Sequence, residues 1–201
     1  MVKGICQWIL YKLLGYKKII TQELPEKYII CMAPHTSNWD FVIGKLYASA
    51  MGLTANFLMK KEWFAGPLGF LFKRMGGIPV ERSRRSSLTD QLADAARQRD
   101  HFLMAITPEA TRSRNPHWKR GFYYVAHKAG LPILLFALDF EHKRIVCTQQ
   151  ITPSGNADAD MQLINAYYSG FKGKYPEKFA LDEGPAAVSY KHQTLPKSTL
   201  R

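Results

Sequence analysis

A histidine and an aspartate five positions apart are the residues of this chain best suited to acid–base chemistry. His35 and Asp40 are separated by Thr36-Ser37-Asn38-Trp39. On one continuous helix their side chains would lie about 140° apart, since a helix has ~3.6 residues per turn. If His35 lies on a loop and Asp40 in the first turn of a helix, the chain reversal brings the carboxylate to one imidazole nitrogen. The other nitrogen then faces solvent as a base whose tautomer the aspartate fixes.

A purely structural interpretation of the same residues is also open. Ser37 or Asn38 can cap the helix that follows, and Asp40 can complement the positive end of the helix dipole.

Two further stretches bring arginines together with glycines or hydroxyl groups. Residues 76–85 begin with two glycines and contain Arg82, whose planar fork suits phosphate oxygens, although a solvated basic loop would look the same. Residues 107–114 place Arg112 among hydroxyl donors, which predicts a phosphate cradle on a loop. Glu109 in this stretch can take part in catalysis or pair with the arginines as a structural strut.

The elements that must position these residues alternate between short apolar runs and helical patterns. This alternation predicts a single α/β domain over residues 1–201, with a mainly parallel or mixed sheet flanked by helices. The three polar stretches follow predicted strands, where sites form in open α/β sheets. Strands are predicted at 28–33, 56–59, 78–80, 102–106, 133–140 and 144–148, and helices at 39–51, 62–75, 87–99, 121–129 and 158–171.

Four short blocks occur in a fixed order along the chain. They read His35-x4-Asp40, Gly77-Ile-Pro-Val-Glu-Arg82, Pro108-Glu-Ala-Thr-Arg-Ser113 and Leu131-Pro-Ile-Leu134. In this order they resemble the glycerolipid acyltransferases of the 1-acylglycerol-3-phosphate acyltransferase family, whose blocks are His-x4-Asp, Gly-x-Ile-Phe-Ile-Asp-Arg, Pro-Glu-Gly-Thr-Arg-Ser and Val-Pro-Ile-x-Pro-Val. The resemblance spans about residues 30–138 and implies the same α/β fold.

The resemblance also implies an activity and a role for each matched residue. The activity is transfer of a fatty acyl group from an acyl-carrier-protein or coenzyme A thioester to the hydroxyl of a lysophospholipid. His35 is expected to be the general base, and Asp40 to orient its imidazole. The acceptor is expected to bind through Arg82, Glu109, Thr111, Arg112 and Ser113. No cofactor beyond the thioester co-substrate and no metal is expected.

Three departures from the family pattern concern the acceptor more than the chemistry. Pro34 stands where the family often has asparagine, Pro79-Val80-Glu81 replaces Phe-Ile-Asp, and Ala110 replaces glycine. If position 110 requires a positive φ, Ala110 must strain or reshape its loop. An acceptor without glycerol phosphate, such as an amino-acid lipid, is therefore an alternative, as is a non-catalytic module that binds anionic lipid.

The charge balance predicts a polyanionic partner, and composition alone leaves open whether this is nucleic acid, an anionic lipid surface or a phosphorylated substrate. The 28 Lys and Arg against 16 Asp and Glu give a net charge of +12. Nucleic acid is not expected, because no reader motif is present. Residues 1–20 are predicted to form an N-terminal helix at the membrane interface, although packing on its own domain is the alternative. The expected membrane or acyl-channel residues are Trp8, Lys60, Lys61, Trp63, Phe64 and Phe70.

Cysteines, histidines and the chain ends complete the sequence predictions. Cys6, Cys31 and Cys147 are odd in number and widely spaced, which favours a reducing compartment. The expected location is cytoplasmic, on the cytoplasmic face of the membrane. A spanning helix is not expected, because no apolar run reaches the roughly 18 residues that it needs. His142 is expected to have no metal-ligand partners, and residues 189–201 are predicted to be a polar tail.

Overall fold

The apolar runs form the strands of a mixed five-stranded sheet. The computed structural model describes residues 2–66, 69–74, 77–80 and 87–185. The strand order is β1-β7-β6-β2-β5, in which β2 lies parallel to both β5 and β6, β7 is antiparallel to β6, and β1 is parallel to β7. These strands are β1 (Lys17–Ile20), β2 (Lys27–Ala33), β5 (Phe102–Ile106), β6 (Ile133–Asp139) and β7 (Arg144–Ile151). The α/β fold class predicted from the sequence is confirmed.

Helices cover both faces of this sheet and create two cores. Strand β2 alternates its side chains between them: Ile29 and Cys31 belong to one core, and Tyr28 and Ile30 to the other. The helices are α1 (Val2–Gln7), the π-helix (Trp8–Leu13), α2 (Asn38–Met51), α3 (Gly69–Arg74), α4 (Leu88–Arg97), α5 (Gly121–Ala129) and α6 (Ala157–Tyr168), with 3-10 turns at Lys61–Phe64 and Pro176–Lys178. The first core includes residues of α4, α5 and α6, and the second includes residues of α2 and of the π-helix.

The prediction of a helix throughout residues 1–20 is wrong at its end. The helical segment stops at Leu13, and Gly15 follows with φ +74°, a left-handed conformation that breaks the helix. The chain then pairs as β1 with β7, where the Lys17 N–H donates to the Lys143 carbonyl at 2.9 Å. The β-branched Ile19 and Ile20 favour this extended form.

Two other predictions need adjustment. The strands predicted at 56–59 and 78–80 do form, as β3 (Phe57–Lys60) and β4 (Gly77–Val80), but they pair with each other in a separate two-stranded parallel sheet. The helix predicted over 62–75 is present as a 3-10 turn and the six residues of α3. The polar tail predicted at 189–201 lies outside the described residues.

Candidate active site

The end of β2 and the start of α2 bring His35 and Asp40 into contact. His35 lies on the loop, Asp40 in the first turn of α2, and His35 Nδ1 is 3.0 Å from Asp40 Oδ2. The Asp40 side chain is buried, while the His35 side chain keeps 19% of its surface exposed. An ionised carboxylate only accepts hydrogen bonds, so this contact places the hydrogen on Nδ1 and leaves the Nε2 lone pair to accept a proton.

The Asp40 carboxylate also closes the N-terminus of α2. Its Oδ2 accepts the Thr36 N–H at 2.7 Å and the Ser37 N–H at 2.9 Å, and its Oδ1 accepts the Ser37 hydroxyl at 3.2 Å. Ser37 is the N-cap and accepts the Trp39 N–H in return. The capping and acid–base interpretations of the sequence therefore describe the same carboxylate in two simultaneous contacts.

Glu109 lies behind the histidine loop instead of in an open pocket. Its Oε1 accepts the His35 N–H at 2.7 Å, and only 3% of the residue is exposed. Its Oε2 is buried and has no hydrogen-bond partner within the described part of the chain. The strut to arginines proposed from the sequence is not observed among these contacts.

Burial changes the acidity of Glu109. Desolvation raises its pKa to about 7, against the opposing effects of the His35 N–H and imidazole, while the nearby Asp40 carboxylate adds to the rise. Glu109 is therefore a carboxyl group that titrates near neutral pH directly beneath His35.

The loop after β5 (Phe102–Ile106) carries the predicted acceptor residues to the same end of the sheet. Ala110 has φ +57°, so the family glycine position does require a left-handed backbone here. Arg112 is exposed, and its Nη1 donates to Asn38 Oδ1 at the first residue of α2. Thr111 Oγ1 accepts the N–H of the exposed Ser113 at 3.2 Å. The structure thus brings Arg112 to the helix that holds Asp40.

The remaining predicted site residues fall into two groups. Arg82 and the side chains of Lys60 and Trp63 lie outside the described part of the structure. Trp8, Lys61 and Phe70 are exposed, whereas Phe64 is half-buried with its ring centroid 6.2 Å from that of Phe72.

No local sequence pattern predicts the contact between the His35 loop and the chain beyond α6. Thr36 is buried, and its Oγ1 accepts the Tyr175 N–H at 3.2 Å. Gly173 packs so closely here that an added Cβ would lie 2.6 Å from Thr36 Oγ1. Residues 173–175 therefore cover the loop next to His35, a long-range contact that no local pattern encodes.

An apolar cavity of about 50 Å³ lies between α2 and the sheet. Gly44, one helical turn after Asp40, lines it together with Met32, Tyr47 and Phe136. None of the aromatic residues predicted at 63–70 is among its lining residues within the described part of the chain.

His142 does have carboxylate neighbours, contrary to the sequence expectation. Ligand atoms of His142, Asp139 and Glu141 lie within 4.8 Å of one another. However, Arg144 Nε donates to Asp139 Oδ2 at 3.0 Å, and Lys172 pairs with Glu141 at 2.8 Å. The carboxylates of this cluster are therefore already matched by side-chain cations.

Within the described residues, no helix combines the length and hydrophobicity needed to cross a bilayer.

Comparisons with family models and with solved structures both give matches. Residues 17–138 match the family model described as Acyltransferase. The fold is similar to the crystal structure of the 1-acyl-sn-glycerophosphate (LPA) acyltransferase PlsC from Thermotoga maritima, with a TM-score of 0.52, 13% identity, and coverage of 84% of this chain and 77% of that chain. No curated protein matches the chain.

Proposed function

The chain belongs to the acyltransferase family, and from this premise we propose that it moves a fatty acyl group from an acyl-carrier-protein or coenzyme A thioester to the hydroxyl of a lysophospholipid such as 1-acylglycerol-3-phosphate. The observation that carries the proposal is the 3.0 Å contact between His35 Nδ1 and Asp40 Oδ2 at the end of β2. The proposed acceptor class is that of the structurally similar 1-acyl-sn-glycerophosphate acyltransferase from Thermotoga maritima.

In the proposed reaction, His35 acts as the general base. Its Nε2 takes the proton of the acceptor hydroxyl as that oxygen attacks the thioester carbonyl, and a tetrahedral intermediate forms. The attack forms the new C–O bond, and collapse of the intermediate re-forms the carbonyl double bond and breaks the C–S bond. The imidazolium then returns the proton to the departing thiolate, so no covalent acyl-enzyme is required. Asp40 holds Nδ1–H throughout and stabilises the imidazolium.

Arg112 is the described residue best placed to bind the acceptor phosphate. It is exposed and linked through Asn38 to the helix that carries Asp40. Arg82 is proposed as a second phosphate ligand only because the sequence block Gly77-Ile-Pro-Val-Glu-Arg82 resembles that of the family.

We further propose that the enzyme works as a peripheral protein on an anionic membrane at the cytoplasmic face. Support comes from the net charge of +12 and from the exposed aromatic side chains of Trp8 and Phe70.

A panel of donors and acceptors tests the function. Purified protein is incubated with acyl-carrier-protein and coenzyme A thioesters and with lysophosphatidate, monoacylglycerol or an amino-acid lysolipid. The proposal expects a new ester, with lysophosphatidate used best because only it offers a phosphate to Arg112. No product with any pair would contradict acyl transfer, and equal use of monoacylglycerol would contradict phosphate recognition.

A further inference from the structure

The solvent-exposed side of the N-terminal part of α2 is largely apolar where a helix packed on a sheet is normally polar. The helix buries Ile43, Tyr47 and Ala50 against the sheet. Phe41, 73% exposed, and Val42, 40% exposed, point away from the sheet, and Trp39, one turn before Ile43, is 48% exposed. A surface helix normally turns polar residues to water, so three large apolar side chains within one turn are unusual.

Two lysines and a tyrosine from the chain beyond α6 adjoin this face. Lys174 Nζ lies 4.6 Å from the centre of the Trp39 ring, and Lys178 Nζ lies 4.5 Å from the centre of the Tyr175 ring. The Tyr175 backbone is hydrogen-bonded to Thr36, the residue after His35. The apolar face and its lysines therefore border the His35–Asp40 contact.

The helices on this side of the sheet carry mainly basic side chains, although the exposed Glu177 lies between Tyr175 and Lys178. The one acidic residue of α2 is Asp40, which is buried. Helix α1 packs beside α2, with Gln7 Nε2 donating to the Ala50 carbonyl at 3.0 Å. Residues 2–20 contain no Asp or Glu but four lysines. The α1–α2 layer thus combines exposed apolar side chains at the N-terminal end of α2 with lysines near its C-terminal end, such as Lys18, whose Nζ lies 3.9 Å from Met51 Sδ.

We propose that Trp39, Phe41, Val42, Lys174, Tyr175 and Lys178 form an interfacial patch that inserts into the headgroup region of an anionic bilayer. Indole and phenol rings favour this level of a membrane, and lysines beside them pair with anionic lipid. An acidic protein partner would explain the lysines but would leave the projecting Phe41 and Val42 without an apolar contact. The patch seats the His35–Asp40 pair at the lipid surface, where an acceptor lipid can reach it without leaving the membrane. The access of an acceptor lipid to His35 and Asp40 rests on the proposed function, whereas the binding of the patch to a membrane does not require the enzyme to be active.

Sedimentation with vesicles tests the patch. The wild-type chain, Phe41→Gln, Phe41→Leu and Leu163→Gln are mixed with phosphatidylcholine vesicles that contain or lack phosphatidylglycerol. Leu163 is the matched control, because it is 51% exposed on α6, which packs on the other core. Because Phe41→Gln loses the inserted phenyl group, its partition constant between water and vesicles is lower than that of the wild type by about tenfold or more. Phe41→Leu retains most of the binding, and Leu163→Gln binds like the wild type.

Charge removal gives a second arm. Lys174→Gln and Lys178→Gln each weaken binding to phosphatidylglycerol vesicles by about fivefold and leave binding to pure phosphatidylcholine unchanged. Equal binding of Phe41→Gln and wild type would overturn the proposal. So would lysine variants that bind vesicles normally but use acyl-carrier-protein donors poorly, since the surface would then serve a protein.

A soluble acceptor separates this inference from the proposed function. With a short-chain lysolipid kept monomeric in water, Phe41→Gln turns over like the wild type, because the patch acts only at a membrane. If Phe41→Gln loses vesicle binding and no variant acylates any acceptor, the patch stands and the proposed function fails. If all variants acylate the soluble lipid and bind vesicles equally, the function stands and the patch fails.

Discussion

Asp40 shows how one residue can fix both local structure and chemistry. Its carboxylate completes the cap of α2 and holds the His35 imidazole. The sequence was sufficient to predict this contact, because both residues lie within one loop and one helical turn. The same reasoning failed for Glu109, whose role depends on a contact with a residue 74 positions away and on complete burial.

Removal of the Glu109 side chain should weaken the histidine loop without affecting acceptor binding. Glu109→Ala leaves the buried His35 N–H without its acceptor, at a cost of about 1–3 kcal/mol in the free energy of unfolding. Glu109→Gln keeps the acceptor oxygen and serves as the control. Steady-state kinetics should show a lower kcat for Glu109→Ala with little change in the acceptor KM. A large rise in KM at unchanged kcat would instead support the acceptor-pocket role implied by the family resemblance.

Glu109 should also make stability depend on pH. Its pKa is about 7 in the folded protein and near 4.5 for an unperturbed glutamate, so the folded state keeps the proton over this interval while the unfolded state releases it. The contribution of Glu109 to stability is therefore full below pH 4.5 and is lost as pH rises through 7. Urea unfolding gives the free energy of unfolding of the wild type and of Glu109→Gln. From pH 5 to pH 8 the wild type should lose stability relative to the variant. A constant difference would contradict the raised pKa.

Arg112 should act on acceptor affinity. Arg112→Ala removes a charged donor for phosphate, which we expect to raise the KM for lysophosphatidate by about tenfold or more. The acyl-donor KM should not change. Arg114→Ala, an exposed arginine on the same loop, is the control. An unchanged lysophosphatidate KM in Arg112→Ala would exclude the phosphate contact.

At the scale of elements, periodicity predicted β2, α2, β5, α5 and β6 close to their observed bounds. These elements have strong apolar patterns and clear ends, such as Gly52 with φ +75° after α2. Strand β1 was missed because its four residues depend on pairing with β7, more than 120 positions later. The cover at residues 173–175 was missed for the same reason, since its contacts with Thr36 and Pro34 are non-local.

The cap of α2 should matter for activity as well as stability. Ser37→Ala removes an N-cap hydroxyl and a donor to Asp40, at about 1 kcal/mol in the free energy of unfolding. Ser87→Ala is a matched control, because Ser87 forms the equivalent capping box of α4 with Asp90. Both variants should lose similar stability in chemical denaturation, but only Ser37→Ala should also lose turnover. Equal activities would mean that the cap does not position Asp40.

The sheet separates two hydrophobic cores, and only one of them lies beneath the helix that carries the proposed membrane-binding patch. The core under α2 lies on the side of the exposed aromatic residues, and the core under α4, α5 and α6 lies on the other. Composition gave the net charge of +12 but could not place it, because the distribution of lysines on the surface depends on how the layers pack.

Salt should weaken membrane association of the whole protein. At physiological ionic strength, interactions between exposed charges are largely screened beyond about 8 Å, and at lower salt these interactions are stronger. Binding to phosphatidylglycerol vesicles should therefore fall as sodium chloride rises, whereas binding to phosphatidylcholine should not. Salt-independent binding to anionic vesicles would contradict an electrostatic contribution.

Acyl transfer by His35→Ala, compared with the wild type, decides whether His35 is the general base. The two proteins are first matched by their unfolding transitions, so that any difference reflects the side chain and not the fold. With thioester donor and lysophosphatidate, loss of the base should lower turnover by at least about 10²-fold. Wild-type turnover in a folded His35→Ala protein would contradict the central claim that the imidazole held by Asp40 deprotonates the acceptor.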